Sequence, residues 1–145
     1  MPCISGQYDP EVGVLLQVAV LPGGHLNQAI RSNSEKSSIG VMGAPVSGLL
    51  DTGADHTCVS RRLAQSLDLR PSGKVPVSGA TGVSEMNQYM IDLLLQFGQN
   101  SIAITEHMVT EFTSNSTAYD MLVGRDIICQ GVFTMDFSGR FSFSV

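Results

Sequence analysis

The segment Leu49-Leu50-Asp51-Thr52-Gly53-Ala54-Asp55 puts an acid at the end of an apolar run and follows it at once with Thr, Gly and Ala. A carboxylate placed there can take a proton from water as a general base or give one back as a general acid. Taken alone, Asp-x-Gly after a strand reads as an ordinary turn, because Asp bonds its own backbone two residues on. A second stretch changes the weighting. Tyr119-Asp120-Met121-Leu122-Val123-Gly124-Arg125-Asp126-Ile127-Ile128 sets two apolar residues directly before Gly-Arg-Asp, so a cation and a second acid arrive on a similar frame.

Other reactive side chains form no such pattern. His25, His56 and His107 share no metal-ligand spacing with one another or with a cysteine, so no metal and no cofactor is expected. Ser47 and Ser60 flank the first motif without the Gly-x-Ser-x-Gly elbow of serine hydrolases. Gly79-Ala80-Thr81-Gly82 is too short for a phosphate loop and lacks the following Lys. Cys58 has no base partner in the sequence and reads as a small buried hydrophobe. Asp136 reads as a solvent-facing strand residue, and Asp126 as a cap or packing partner of a short helix.

The elements that must carry these residues are mostly strands. Val12 to Val20 is an apolar run rich in β-branched residues, closed by Pro22-Gly23-Gly24. Residues 23 to 38 are polar and read as a long loop. Short strands are expected at Ile39 to Val41 and Val46 to Leu50, around a Gly43-Ala44-Pro45 turn. One helix follows the Asp51 segment, with Ser60 as N-cap, Leu63 and Leu67 on one face and Pro71 as the stop. Val75 to Val77 and Val83 to Leu95 flank a glycine-bracketed tip and make a hairpin. Ile102 and Ile104 mark another strand, Thr113 to Ala118 a polar loop, and Arg125 to Cys129 a helical turn. Phe133, Met135, Phe137, Phe141, Phe143 and Val145 alternate with polar residues on both sides of Ser138-Gly139, giving a terminal hairpin with one apolar face. Short strands, frequent Gly turns and one or two short helices define an all-β class, a small closed barrel.

Composition agrees with one domain spanning residues 1-145. Of 145 residues 43% are hydrophobic, enough for a core, and 14% are charged. A net charge of −5 with scattered Lys and Arg offers no footprint for nucleic acid or an anionic membrane. No run approaches the roughly 20 apolar residues that cross a bilayer. Cys3, Cys58 and Cys129, unpaired in spacing and preceded by no secretory signal, suggest reduced thiols and a cytoplasmic setting.

With a helix after the first motif and a Gly-tipped hairpin before the second, the chain resembles the retropepsin-like aspartic peptidases, nearest the single-domain bacterial or mobile-element members. The resemblance runs from about residue 10 to 145. It implies that Asp51, Thr52 and Gly53 are catalytic. Asp51 is the acid, the Thr52 hydroxyl ties two active-site loops together, and Gly53 lets substrate backbone approach. It implies substrate contacts from Ala54, Asp55, Val123 and a flap formed by Gly79, Ala80, Thr81 and Gly82. Leu50, Gly124, Arg125 and Asp126 would be structural support. A family site needs two such acids, and the chain holds one Asp-Thr-Gly, so the implied enzyme is a C2 homodimer acting on an extended peptide or protein.

Open alternatives stay beside this reading. Asp55 with Arg125 is either a substrate-binding pair or only a structural ion pair, and the flap is otherwise a plain exposed hairpin. The terminal hairpin is interface or core. The whole chain is an endopeptidase, active or latent, or a non-catalytic dimerising or peptide-binding domain on the same fold. Three departures from retroviral members stand out: the long 23-to-38 segment, a Phe-rich hairpin at the chain's end where retroviral dimers interleave short termini, and His56 where a second acid is common.

Overall fold

A computed structural model describes residues 2–32, 44–97 and 100–145. Alternation of apolar and polar side chains builds the barrel wall. In β2 (Leu15–Pro22) Leu16, Val18 and Val20 are buried between more exposed neighbours. β3 (Ala44–Leu50) buries Val46 and Leu50, and β6 (Gly82–Phe97) buries Tyr89, Ile91, Leu93, Leu95 and Phe97. With β4 (Cys58–Ser60), β7 (Asn100–Phe112) and β8 (Met121–Val123), the sheet order is β2-β3-β8-β4-β7-β6. β6 then pairs back onto β2, from Val18↔Leu95 to Pro22↔Ile91, and the six strands close on themselves. Closure leaves the barrel wall without an edge.

β5 (Gly73–Gly79) lies outside this ring and, among the described strands, bonds to β6 alone. Its ladder runs from Gly73↔Gln88 to Gly79↔Gly82, so Ala80 and Thr81 form the tip of the expected hairpin. A separate three-stranded sheet, ordered β1-β10-β9, joins β1 (Cys3–Gln7), β9 (Val132–Met135) and β10 (Arg140–Ser144). Phe141 and Phe143 of β10 reach the main core, and Phe143 lies 5.9 Å from the Phe97 ring. Only the β10 arm of the terminal hairpin is core: in the β9 arm Met135 is half-exposed, and Phe137 is fully exposed in the turn rather than on an apolar face.

The helix after β4, α2 (Arg61–Ser66), has Ser60 as its N-cap, whose Oγ accepts the Leu63 N–H at 3.0 Å. It ends at Ser66 with Leu67 as its C-cap, and Asp68, at φ 49, turns the chain away before Pro71. The turn α3 (Arg125–Ile128) falls where expected.

Several expectations are corrected. The segment begun as a loop at residue 23 contains a helix, α1 (His25–Ser32), whose Leu26 is buried. Its cap is remote: the Leu26 N–H donates to Asp92 Oδ2 of β6 at 2.8 Å. Asp92, wholly buried, sits at a bulge between β6 and β7 and takes the Glu106 N–H at 2.8 Å with its other oxygen. The bulge leaves the Glu106 amide without a ladder partner and the helix start leaves the Leu26 amide without one, and the carboxylate supplies both. Ala44 and Pro45 belong to β3 rather than to a turn, while the strand expected at Ile39 to Val41 lies outside the described residues. β1 was not anticipated. Asp136 is not a strand residue. It organises the β9–β10 turn, accepting the Ser138 and Arg140 amides at 2.9 and 3.2 Å.

Candidate active site

The end of β3 is pinned on both sides. The Leu50 N–H donates to Val14 O at 2.9 Å, the Leu50 side chain enters the core, and the Asp51 N–H donates to Val123 O at 3.0 Å. Asp51 is thus delivered by two strands at once, half-buried at the barrel rim. Its Oδ1 accepts the Gly53 N–H at 2.9 Å, and its carbonyl accepts the Ala54 N–H at 3.2 Å, so the loop folds tightly around the carboxylate. A Cβ on Gly53 would lie 3.1 Å from that Oδ1. Thr52 and Gly53 face outward and Ala54 is half-buried.

A second loop braces the first. Asp55 pairs with Arg125 through Oδ1 and Nη2, and the Arg125 N–H donates to Ala54 O at 2.9 Å. Gly124 passes so close that a Cβ there would sit 2.6 Å from the His56 carbonyl carbon. Its N–H donates to Thr57 Oγ1 at 3.1 Å. Thr57 in turn gives its hydroxyl to Asp126 Oδ1 at 2.7 Å and its N–H to Asp126 Oδ2 at 3.0 Å. His107 Nε2 reaches the same Oδ2 at 2.8 Å. Burial alone would raise the Asp126 carboxyl, yet the bonds from His107 and Thr57 outweigh it and hold the group at about 2 against an ordinary 3.8.

The structure brings Asp51, Thr52, Gly53, Ala54, Asp55, Gly124, Arg125 and Asp126 into one two-loop unit. Val123 belongs to it through its carbonyl. Its side chain is completely buried, against Gly48, so it lines no open surface in the chain. The neighbouring Leu122 points the other way, half-exposed, in register with Leu49 on one side and Cys58 on the other. These three alternate with buried residues and share the sheet face from which Asp51 follows. Sequence reading missed that row, although the strand alternation of Leu122 and Val123 could have indicated it. Thr57 and His107 were missed as well.

Cys58 is half-buried rather than buried, with Sγ 3.3 Å from His56 O. Burial first, then the charges of Asp126 and Asp51, push its thiol from 9.0 to about 11, so it is no thiolate nucleophile at neutral pH. Gly79, Ala80, Thr81 and Gly82 are exposed at the far end of β5 and β6, and Gly82, at φ 125, holds a conformation that suits glycine. Among the described residues no group of three His, Cys, Asp or Glu is placed to hold a metal, and no helix is long and apolar enough to cross a membrane.

A family model described as aspartyl protease matches residues 38–137, which include both loops, the hairpin and the ladder between them. The chain belongs to the aspartyl protease family. Its fold is retropepsin-like: it aligns with the crystal structure of a retropepsin-like aspartic protease from Rickettsia conorii at TM-score 0.59 and 11% identity, over 97% of this chain and 89% of that one. At that identity the likeness speaks for the fold. Equine infectious anaemia virus (EIAV) protease, solved with the inhibitor HBY-793, aligns at TM-score 0.48 and 18% identity over 86% of this chain and 93% of that one. The simian foamy virus (mac) protease gives 0.48 and 14% over 80% and 92%. No curated protein matches by sequence.

Proposed function

We propose that this protease-family chain is an aspartic endopeptidase that works as a homodimer, with one Asp51 from each copy. The observation that carries this reading is the commitment of the other acids. Around Asp51, Asp55 is tied to Arg125, and Asp126 to Thr57 and His107. Among the described acids around this loop, Asp51 is the one that sits half-exposed at the rim with its carboxylate shaped by the Gly53 amide. A metal-free hydrolysis needs a base for the water and an acid for the leaving group, and a second copy supplies the missing carboxyl.

The chemistry follows from two like acids brought together. Carboxyls about 3 Å apart cannot both ionise, so they share one proton. The ionised Asp51 takes a proton from water as its oxygen attacks the peptide carbonyl carbon. The protonated mate donates to the carbonyl oxygen, giving a tetrahedral diol. As the diol collapses and the C–N bond breaks, the departing nitrogen receives a proton from the acid that took one from water, the ionised mate takes back a proton from a diol hydroxyl, and the pair again shares one proton.

Thr52, outward on the same loop, is the residue that would meet its counterpart at the axis. The Gly79–Gly82 tip would close over an extended substrate and offer it backbone groups, as an added strand is held. Asp55 with Arg125 would border the bound chain.

Cleavage of an unstructured protein substrate at mildly acid pH, blocked by a statine-type inhibitor and abolished in Asp51→Asn, is the expected result. Cleavage that survives Asp51→Asn would overturn the mechanism, and peptide binding without turnover in the unmodified protein would make the chain a binding module.

A further inference from the structure

We infer that His107 is a positioning residue for Asp51, acting through Asp126 and Thr57; as a statement about catalysis this rests on the peptidase reading. His107 belongs to β7, on the barrel wall, and is remote in sequence from both active-site loops. Its side chain is 19% exposed and that of Asp126 17%, so the contact between them is largely shielded from water.

The contacts run as one chain. His107 Nε2 bonds Asp126 Oδ2 at 2.8 Å, and Asp126 holds Thr57 by its N–H and its hydroxyl at 3.0 and 2.7 Å. Thr57, with no exposed surface, receives the Gly124 N–H on its hydroxyl oxygen at 3.1 Å. Val123, the residue before, accepts the Asp51 N–H at 3.0 Å. Three separate segments therefore meet at one carboxylate: the barrel wall, the strand entrance after Asp51, and the turn into α3.

The wall also holds Thr57 by its backbone, since the Thr110 N–H of β7 donates to Thr57 O at 3.2 Å, but it reaches the carboxylate of Asp126 by another route. Thr57 and the Ile127 N–H, which reaches Oδ1 at 3.0 Å, both belong to the two loops being braced. His107 is the donor among these that stands on the wall, and so refers the Asp126 carboxylate itself to the barrel. Asp126 is ionised and accepts, so Nε2 carries the proton, in the neutral ring or in imidazolium. Two facing acids must agree in position to well under an ångström, so loosening the reference costs rate more than binding.

The test compares His107→Ala, His107→Asn and His107→Gln. The Gln amide nitrogen reaches about as far as imidazole Nε2, whereas Asn falls short. Ala and Asn should each lower kcat between tenfold and about a hundredfold with KM within about twofold, and Gln should recover most of the loss. Amide hydrogen exchange on the same proteins should quicken at Asp51, Thr57 and Gly124 in Ala and Asn, while Val20 and Leu95 in the barrel keep their protection.

Unchanged exchange at the three loop amides would overturn the inference, as would a kcat loss that merely tracks the unfolded fraction or a Gln variant no better than Asn. An unmodified protein that cleaves nothing would remove the peptidase reading, and the exchange measurement would still decide whether His107 holds Asp51 in place.

Discussion

At Gly124 the chain leaves β8 so near the loop after Asp51 that a Cβ would lie 2.6 Å from the His56 carbonyl carbon and 2.9 Å from the Thr57 nitrogen. Both are backbone atoms and cannot turn aside. Gly124→Ala should cost on the order of 3 kcal/mol in urea unfolding, whereas Gly79→Ala, whose Cβ would meet only the Gly82 carbonyl oxygen at 4.0 Å, should stay within about 0.5 kcal/mol. Asp126 carries a pH signature. Folding holds it at about 2 against 3.8 for the free carboxyl, so its contribution is complete above about pH 4 and drains away as the pH falls towards 2. The stability gap between the unmodified chain and Asp126→Asn should accordingly narrow over that acid window. The placement of Asp51 at a strand end before a Gly turn was legible locally, whereas the Asp55–Arg125 pair was implied only by the resemblance that the Asp-Thr-Gly and Gly-Arg-Asp runs carry. Thr57 and His107 were not, since a Thr and a His say nothing until the fold brings Asp126 to both.

Elements with a clear period declared themselves, and those stabilised from a distance did not. Val46 to Leu50, the Ser60-capped helix and the arms around Gly79–Gly82 carry their own alternation, cap or turn. α1 was hidden because its cap lies in β6: Asp92 is sixty-six positions from Leu26, and the bulge that frees it is invisible in a list of residues. β1, Cys-Ile-Ser-Gly-Gln, is a strand only because β10 gives it a ladder. Asp92→Ala would orphan the Leu26 and Glu106 amides together, and a loss of roughly 3 kcal/mol in global stability is expected. Exchange should rise first at Leu26 and Glu106. An undiminished unfolding midpoint would mean that the bulge finds other partners.

For the molecule as a whole, the proposed site is half a site. Mixing unmodified chain with an equal amount of Asp51→Asn and allowing exchange should leave about a quarter of the dimers with two intact acids, if pairing is random. Specific activity per total chain should fall to that fraction; a fall to half would mean that each copy acts alone. The closed barrel was readable as a class, from short strands and Gly turns, whereas the return of β6 onto β2 was not, since closure depends on the summed twist of six strands. The closure has a mechanical corollary. Residues 82–87 of β6 bond to β5 and to nothing else in the sheet, while the same strand from Gln88 onward is built into the wall. The paired arms form a cantilever whose root is clamped and whose free end can bend without breaking a rung of the ring. A reporter peptide spliced between Ala80 and Thr81 would therefore ride on that free end and leave the melting of the ring untouched.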